Sequence, residues 1–149
     1  MSRNYYSEIN LHMVWHTKGS LPLLTPEVES ATHQWLRRRI VETPQLFVHE
    51  IGGTETHVHL AVTIPPTAVI SDLIGQLKGS SSHAVNQQLG RHRKLLHWQA
   101  GYGVVSFGTG DLDWVKAYIL NQRQHHDVGM IQDRLERIPA YEHEPCDSG

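Results

Sequence analysis

Two histidines one residue apart, His57 and His59, form a pair that could do chemistry. They lie in a segment whose apolar pattern predicts a β-strand, and alternate residues of a strand point to the same face. Both imidazoles should therefore face one side of the strand, with Cα atoms about 7 Å apart. Imidazole is a common ligand of divalent metals, so the pair is a candidate metal site. The alternative is that both histidines lie on a solvent-exposed face of the strand and bind no metal.

A second pair, Tyr118 and Gln122, is spaced four residues apart in a segment with a helical pattern. Residues at this spacing are neighbours on one helix face. An apolar stripe that begins at Leu112 should face a core, which places the tyrosine and the glutamine at the boundary of that core. The structural alternative is a half-buried tyrosine with its hydroxyl in water, next to a surface glutamine.

The elements that must position these groups follow from hydrophobic periodicity and turn residues. The pattern predicts strands over about residues 6–16, 46–51, 56–64 and 97–107, and helices over about 25–42, 69–89, 111–126 and 131–138. The first strand alternates and predicts one buried face, Gly52 and Gly53 form a turn, and residues 79–82 weaken the second helix. This order predicts an α+β, ferredoxin-like (RRM-like) antiparallel sheet with helices on one face and an added C-terminal helix that bears the tyrosine.

Length and composition place the chain among globular proteins. It has 149 residues, 39% of them hydrophobic, and a net charge of -2, which excludes a disordered or collagen-like chain. We expect one domain over residues 1–138 and a short polar tail over 139–149. There is no apolar run long enough for a membrane span and no apolar N-terminal segment, so we expect a cytoplasmic protein.

Charge is unevenly distributed along the chain. Residues 73–110 contain no carboxylate and four cations, Lys78, Arg91, Arg93 and Lys94. The segment from Asp127 onward has a net charge of -4. A basic middle region favours a polyanionic partner that approaches one face. A solvated helix end and loop is the alternative.

Several segments together resemble one protein family. They are residues 14–18, 23–25, 57–60, 76–82, 98–103 and 118–126. In this order they look like the motifs of the single-tyrosine HUH transposases of small insertion sequences and of the REP-associated tyrosine transposases. The resemblance covers about residues 5–126.

This resemblance implies a role for each matching residue. His57 and His59 would hold a divalent metal, magnesium or manganese, with Gln122 as the third protein ligand. Tyr118 would be the nucleophile that cleaves single-stranded DNA and forms a 5'-phosphotyrosine link. A phenol with a pKa of about 10 is a poor nucleophile at neutral pH, so it needs a cation that polarises the phosphate. The partners implied are DNA hairpins at element or repeat ends and a second copy of the chain, with no membrane and no nucleotide cofactor.

The positions expected to contact DNA are basic or aromatic. Lys78, Arg91, Arg93, Lys94, Arg37, Arg38 and Arg39 would bind phosphates, and Trp98 and Tyr102 would stack on unpaired bases. Core packing is the alternative for both aromatic residues. The chain departs from the family at Thr56, where an acidic residue is common, and at Gly19 and Ser20, where a basic residue is usual. The departure at Thr56 concerns the groups that orient the metal-binding histidines by hydrogen bonds to their other ring nitrogen.

Two other functions compete with strand transfer. A non-catalytic module could bind single-stranded nucleic acid through the sheet. A hydrolytic enzyme could hold zinc on His57 and His59 and use water as the nucleophile. A binding module gives no reason for the histidine pair and the Tyr118–Gln122 pair to lie together. For a hydrolytic zinc enzyme, the sequence offers no clear third strong metal ligand.

Overall fold

The computed structural model describes residues 5–122 and 133–139. In the described residues the strands are β1 (Ile9–His16), β2 (Phe47–Gly53), β3 (His57–Ile64) and β4 (Gly103–Phe107), and the helices are α1 (Pro26–Glu42), α2 (Ile70–Leu89), α3 (Leu112–Leu120) and α4 (Asp133–Glu136). This confirms the α+β class and the predicted order of elements.

The four strands form one antiparallel sheet in the order β2-β3-β1-β4. Helices α1 and α2 cover one face. Their apolar residues pack on inward-facing residues of β1 and β3 in the main core, which includes Trp15, Leu60, Leu36 and Leu77. The period of two along the strands and of 3.6 along the helices predicts this side of the molecule correctly.

Helices α3 and α4 cover the opposite face, where Val115 and Ile119 pack on Ala61. The prediction that β1 buries only one face is therefore wrong. His12 and Val14, on the face expected to be exposed, are both 1% exposed. Alternation of apolar and polar residues predicts one solvent-exposed face, but the polar residues of that face point into a second, partly polar interior.

Helix α1 starts as the sequence predicts, with Pro26 at its first position and the Thr25 hydroxyl accepting from a backbone amide. Helix α2 is continuous, so the expected weakness at residues 79–82 is not observed. Small side chains there make room for indole rings, because Trp98 Nε1 donates to Ser81 Oγ at 3.1 Å. Side-chain packing thus compensates for the low helix propensity of the segment.

Gly52 lets α3 lie close to the sheet. It is paired with His59 on β3, and a Cβ atom on Gly52 would lie 2.3 Å from the carbonyl oxygen of Ile119. The two glycines expected to form a turn are instead the last residues of β2. The lack of a side chain at Gly52 lets the tyrosine helix lie over the histidine strand.

Other boundaries differ from the prediction in detail. The strand expected over residues 97–107 is regular only from Gly103, preceded by one bridge between Thr17 and Trp98. Helix α3 ends at Leu120, and the part of the predicted helix beyond residue 122 lies outside the described residues. Helix α4 falls within the predicted last helix, and the domain boundary at residue 138 stays a prediction. Among the described helices, none is long and apolar enough to cross a membrane.

Candidate active site

The strand β3 presents His57 and His59 on the face covered by α3 and α4. Both side chains are buried, and their ring centroids are 4.9 Å apart. Val58 and Leu60 point to the opposite face and belong to the apolar core. The predicted alternation is confirmed, whereas the wet-face alternative fails because the histidines are covered.

Each histidine is held through its Nδ1 atom. His57 Nδ1 lies 3.0 Å from Thr54 Oγ1 and 2.9 Å from Thr56 Oγ1. His59 Nδ1 lies 2.7 Å from His12 Nε2. Thr56, which stands where the family commonly has an acid, thus supplies a hydroxyl behind the first histidine. These contacts orient both rings and leave both Nε2 atoms turned towards α3 and α4.

His12 is a site residue that the sequence did not reveal. Burial, followed by the charge of His59, lowers the pKa of His12 from 6.5 to about 3. The ring is therefore neutral near neutral pH. The signal available in the sequence was its place on the same strand face as His16, but alternation alone does not distinguish a buried polar face from a wet one.

Glu136 on α4 brings the two histidines and the tyrosine together. Its Oε1 atom lies 3.1 Å from His59 Nε2 and 3.4 Å from His57 Nε2. Its Oε2 atom accepts a hydrogen bond from the Tyr118 hydroxyl at 2.5 Å. Burial alone would raise the pKa of this carboxyl, but hydrogen bonds from His57, His59 and Tyr118 outweigh it and hold the pKa well below its usual range. Glu136 is therefore ionised.

Glu136 is a site residue that the sequence does not reveal, because it lies in an acidic segment whose composition indicates only a charge imbalance. Its position depends on how α4 docks. Leu135 is buried, and the Arg134 guanidinium donates to the carbonyl oxygen of Ser106 on β4. The helix thus packs at the edge of the sheet and points Glu136 inward.

Gln122 and Tyr118 are not at a half-exposed boundary as expected. They are 1% and 2% exposed, because the described C-terminal segment covers this face. Gln122 Oε1 lies 3.4 Å from His57 Nε2, while its amide nitrogen donates to the Tyr118 carbonyl oxygen at 3.2 Å. The Tyr118 ring stands edge-on to His59 at 6.2 Å and stacks on Trp114 at 5.6 Å.

These donor atoms fit a divalent cation. Ligands about 2.1 Å from one ion lie about 3.0–3.4 Å from one another at octahedral or tetrahedral angles. The distances from Glu136 Oε1 to both Nε2 atoms, 3.1 and 3.4 Å, fall in this range. The ligating atoms of His57, His59 and Glu136 lie within 4.8 Å of one another. Gln122 Oε1 is close enough to add an oxygen ligand.

The basic residues expected to contact DNA separate into groups. Lys78 Nζ donates to the carbonyl oxygens of Gln99 and Gly101 at 2.7 and 2.8 Å, and burial lowers its pKa. This lysine holds the loop that leads to β4. Arg91, Arg93 and Lys94 are exposed and line a groove of about 690 Å³ together with Ser82, His83, Asn86, Gln87 and His92.

The arginines of α1 do not line that groove. Arg37 lies 3.7 Å from Glu50, and Arg38 lies 3.6 Å from Glu42. Val28, near the start of α1, packs with Leu96 beside the groove loop, and Arg38 lies ten residues, or about 15 Å, further along the helix. The structure therefore does not bring the two basic segments together.

The two aromatic candidates pack against the apolar core. Trp98 donates to Ser81 and meets Trp15 edge-on at 5.9 Å, and Tyr102 contacts the same core. Both are half-buried. Core packing is thus observed for both, and stacking on bases stays a prediction.

Comparison with known proteins shows which chains and folds this protein resembles. The chain is 28% identical over 96 residues to the transposases for insertion sequence element IS200 of Salmonella typhimurium and Salmonella typhi, and the match spans 62% of this chain and 62% of each relative's length. A crystal structure of a Deinococcus radiodurans R1 protein assigned as a transposase matches with a TM-score of 0.64 and 25% identity, over 82% of this chain and 96% of that one.

A structure of a REP-associated tyrosine transposase bound to a REP hairpin has the same fold, with a TM-score of 0.55 and 18% identity over 88% of this chain and 75% of that one. The model of the family "Transposase IS200 like" matches residues 5–122. This match includes His57, His59, Tyr118 and Gln122 and ends before Glu136. The chain therefore belongs to the IS200-like transposase family.

Proposed function

We propose that this protein is a metal-dependent transposase that cleaves and rejoins single-stranded DNA through a phosphotyrosine on Tyr118. The observation that carries the proposal is a single carboxylate, Glu136, whose two oxygens contact the candidate metal ligands and the tyrosine hydroxyl. Phosphoryl transfer to a phenol requires that the phenol oxygen lie beside a cation site.

His57, His59 and Glu136 would hold the cation, and Gln122 would add an amide oxygen. When bound, the cation would polarise a phosphate oxygen and offset the charge that develops in the transition state. Two imidazoles suit manganese better than magnesium, whereas the two oxygen donors suit either ion. Of magnesium and manganese, the whole donor set therefore favours manganese.

The chemical step is an in-line displacement at phosphorus. The Tyr118 oxygen forms a bond to the phosphorus atom, the bond to the 3'-oxygen breaks, and the leaving 3'-oxygen takes a proton from solvent. Glu136 Oε2 accepts the hydrogen bond of the hydroxyl and is placed to take its proton. The phosphotyrosine ester retains the free energy of the phosphodiester bond that was broken. Another 3'-hydroxyl can therefore attack this ester and rejoin strands without a nucleotide cofactor.

The DNA would be held mainly through its backbone in the groove of Arg91, Arg93 and Lys94. This groove is connected to the site through β1, because Gln99, just after the groove loop, donates its backbone amide to the His16 carbonyl at 2.9 Å. His16 in turn stacks on His57 at 4.8 Å. We further propose hairpin-bearing ends as the substrate, as in the hairpin-bound REP-associated transposase, and a homodimer as the working assembly.

The competing functions make different predictions for the same site. Convergence of tyrosine, carboxylate and histidines argues against a purely binding module. Glu136 supplies the third strong ligand that a hydrolytic metalloenzyme would need, so this alternative has gained support from the structure. It leaves the buried hydroxyl of Tyr118 without a role, and a covalent adduct distinguishes the two.

The test is a denaturing gel of the protein mixed with labelled single-stranded DNA from both flanks of its own gene and manganese. We expect a shifted covalent band for the wild type, and none for Tyr118→Phe or His57→Ala. Tyr6→Phe, which removes the hydroxyl of an exposed tyrosine, is the matched control and should keep the band. Cut DNA without an adduct would support hydrolysis, and binding in a native gel without cleavage would support the binding module.

A further inference from the structure

His12 lies on β1, one strand away from His59 and on the same face of the sheet. In the register of the two strands, Val14 is opposite His59 and His12 is opposite Ala61, so the two histidines are diagonal neighbours. Their ring centroids are 4.9 Å apart, and their exposed fractions are 1% and 0%. The pair is thus completely enclosed, and its hydrogen bond is protected from competition with water.

The direction of this hydrogen bond follows from the metal site, because a cation bound between His59 Nε2 and Glu136 would take the place of the hydrogen bond that His59 Nε2 donates to that carboxylate. His59 Nε2 faces the Glu136 carboxylate at 3.1 Å, whereas His59 Nδ1 faces His12 Nε2 at 2.7 Å. A neutral imidazole that offers its Nε2 lone pair to a cation must have its proton on Nδ1. That proton needs an acceptor, and the lone pair of His12 Nε2 lies at hydrogen-bond distance.

We propose that His12 is a positioning residue for the metal site: its Nε2 accepts the Nδ1 proton of His59 and so fixes the tautomer and the ring orientation in which His59 Nε2 faces the cation. This inference rests on the proposed metal-dependent function. Metal-bound histidines usually donate their other N–H group to a carboxylate, a carbonyl or water. Here a second, uncharged imidazole takes that place.

An imidazole acceptor has a physical consequence at this position. A carboxylate behind His59 would add a negative charge to an interior that already contains Glu136, and burying it would need a further partner. A neutral imidazole satisfies the same N–H group without adding charge. The other metal ligand follows the same pattern, because uncharged hydroxyls of Thr54 and Thr56 contact His57 Nδ1.

The experiment compares His12→Leu, His12→Gln and a matched control, His49→Leu. Leucine keeps most of the volume and removes the acceptor, whereas the glutamine side-chain oxygen reaches about as far as imidazole Nε2 and can accept. His49 on β2 also makes a short side-chain contact, 2.6 Å to Thr63 Oγ1, outside the site. Manganese and zinc affinities are measured by titration calorimetry, and the histidine nitrogens of the zinc-loaded protein are observed by NMR.

We expect the zinc-loaded wild type to have a protonated His59 Nδ1 and a metal-bound Nε2. His12→Leu should weaken metal binding by about 10- to 100-fold. His12→Gln should restore most of the affinity, and His49→Leu should keep it. If the loss of metal affinity came only from a general loss of stability, both His12→Leu and His49→Leu would lose affinity, and His12→Gln would not restore it.

Four results would overturn the proposal or separate it from the proposed function. Wild-type affinity in His12→Leu, or zinc bound through His59 Nδ1, would show that His12 only packs. A wild type that binds neither ion would remove both the metal dependence and the role of His12. A wild type whose metal affinity depends on His12 but which forms no DNA adduct would leave the positioning role intact and refute strand transfer.

Discussion

On β3, Val58 and Leu60 point into the apolar core under α1 and α2, whereas their immediate neighbours His57 and His59 point towards α3 and α4. The same strand thus supplies two interiors of opposite character. On the apolar face, any well-packed side chains of similar volume would serve. On the polar face, each imidazole contacts specific partners at hydrogen-bond distance, and an unpaired group there would cost free energy.

This difference shows how the fold separates stability from chemistry. The apolar face contains the main hydrophobic core. The polar face collects residues from four separate segments, including His12, Tyr118 and Glu136, into one cluster. Substitutions on the two faces should therefore have different consequences, even at adjacent positions.

The largest effect is expected from the adjacent pair Leu60 and His59, both fully buried. Leu60→Ala should lower the free energy of unfolding by about 2–5 kcal/mol because it leaves a cavity in the core, while the folded fraction still forms the DNA adduct. His59→Ala should abolish metal binding and the adduct. Denaturant unfolding and the adduct gel measure the two outcomes. A folded Leu60→Ala protein that forms no adduct would break the division between the faces.

A smaller effect is expected at Glu136, the residue that joins the cation site to the tyrosine. Glu136→Gln keeps the shape but removes the charge, so manganese affinity should fall by at least about tenfold. Glu50→Gln, at a carboxylate on β2 that pairs with Arg37, is the control and should bind manganese normally. If Glu136→Gln instead forms more adduct than the wild type, Glu136 occupies the place of the substrate phosphate.

The sequence predicted the fold well because local patterns determine most of it. The Thr25–Pro26 start of α1, the spacing of Leu73 and Leu77 in α2 and the alternation of β3 all correspond to observed elements. The prediction failed where tertiary contacts decide the outcome. The serine run of α2 stays helical because Trp98 packs on Ser81, and no local pattern contains that information.

Prediction of the site shows the same limit. His57 and His59 were found because a strand places alternate residues together, and Tyr118 and Gln122 because a helix places every fourth residue together. His12 and Glu136 could not be found this way. They reach the site through strand pairing and through the docking of α4, so their distance in sequence from His59 gives no periodic signal.

The polar face should also make stability depend on pH in the metal-free protein. The pKa of His12 is lowered to about 3 in the folded state, so the unfolded state binds more protons between about pH 3 and 6.5. Unfolding free energy should therefore fall with decreasing pH, by up to about 1.4 kcal/mol per pH unit from this group. Urea unfolding from pH 6.5 to 4.5 measures it, and His12→Gln should have the shallower slope. Equal slopes would mean that His12 is not buried as a neutral ring.

The smallest effect is expected in the groove of Arg91, Arg93 and Lys94, where DNA would be bound but not cleaved. Arg93→Ala removes one exposed cation from the groove, so hairpin affinity should fall only a few-fold, and the slope of log affinity against log salt should decrease by about 1. Arg38→Ala is the comparison, because Arg38 pairs with Glu42 and lies over the Trp35 ring at 5.4 Å. Its salt slope should stay that of the wild type. Fluorescence anisotropy at several salt concentrations measures both, and a larger change for Arg38→Ala would move the DNA path from the groove to α1.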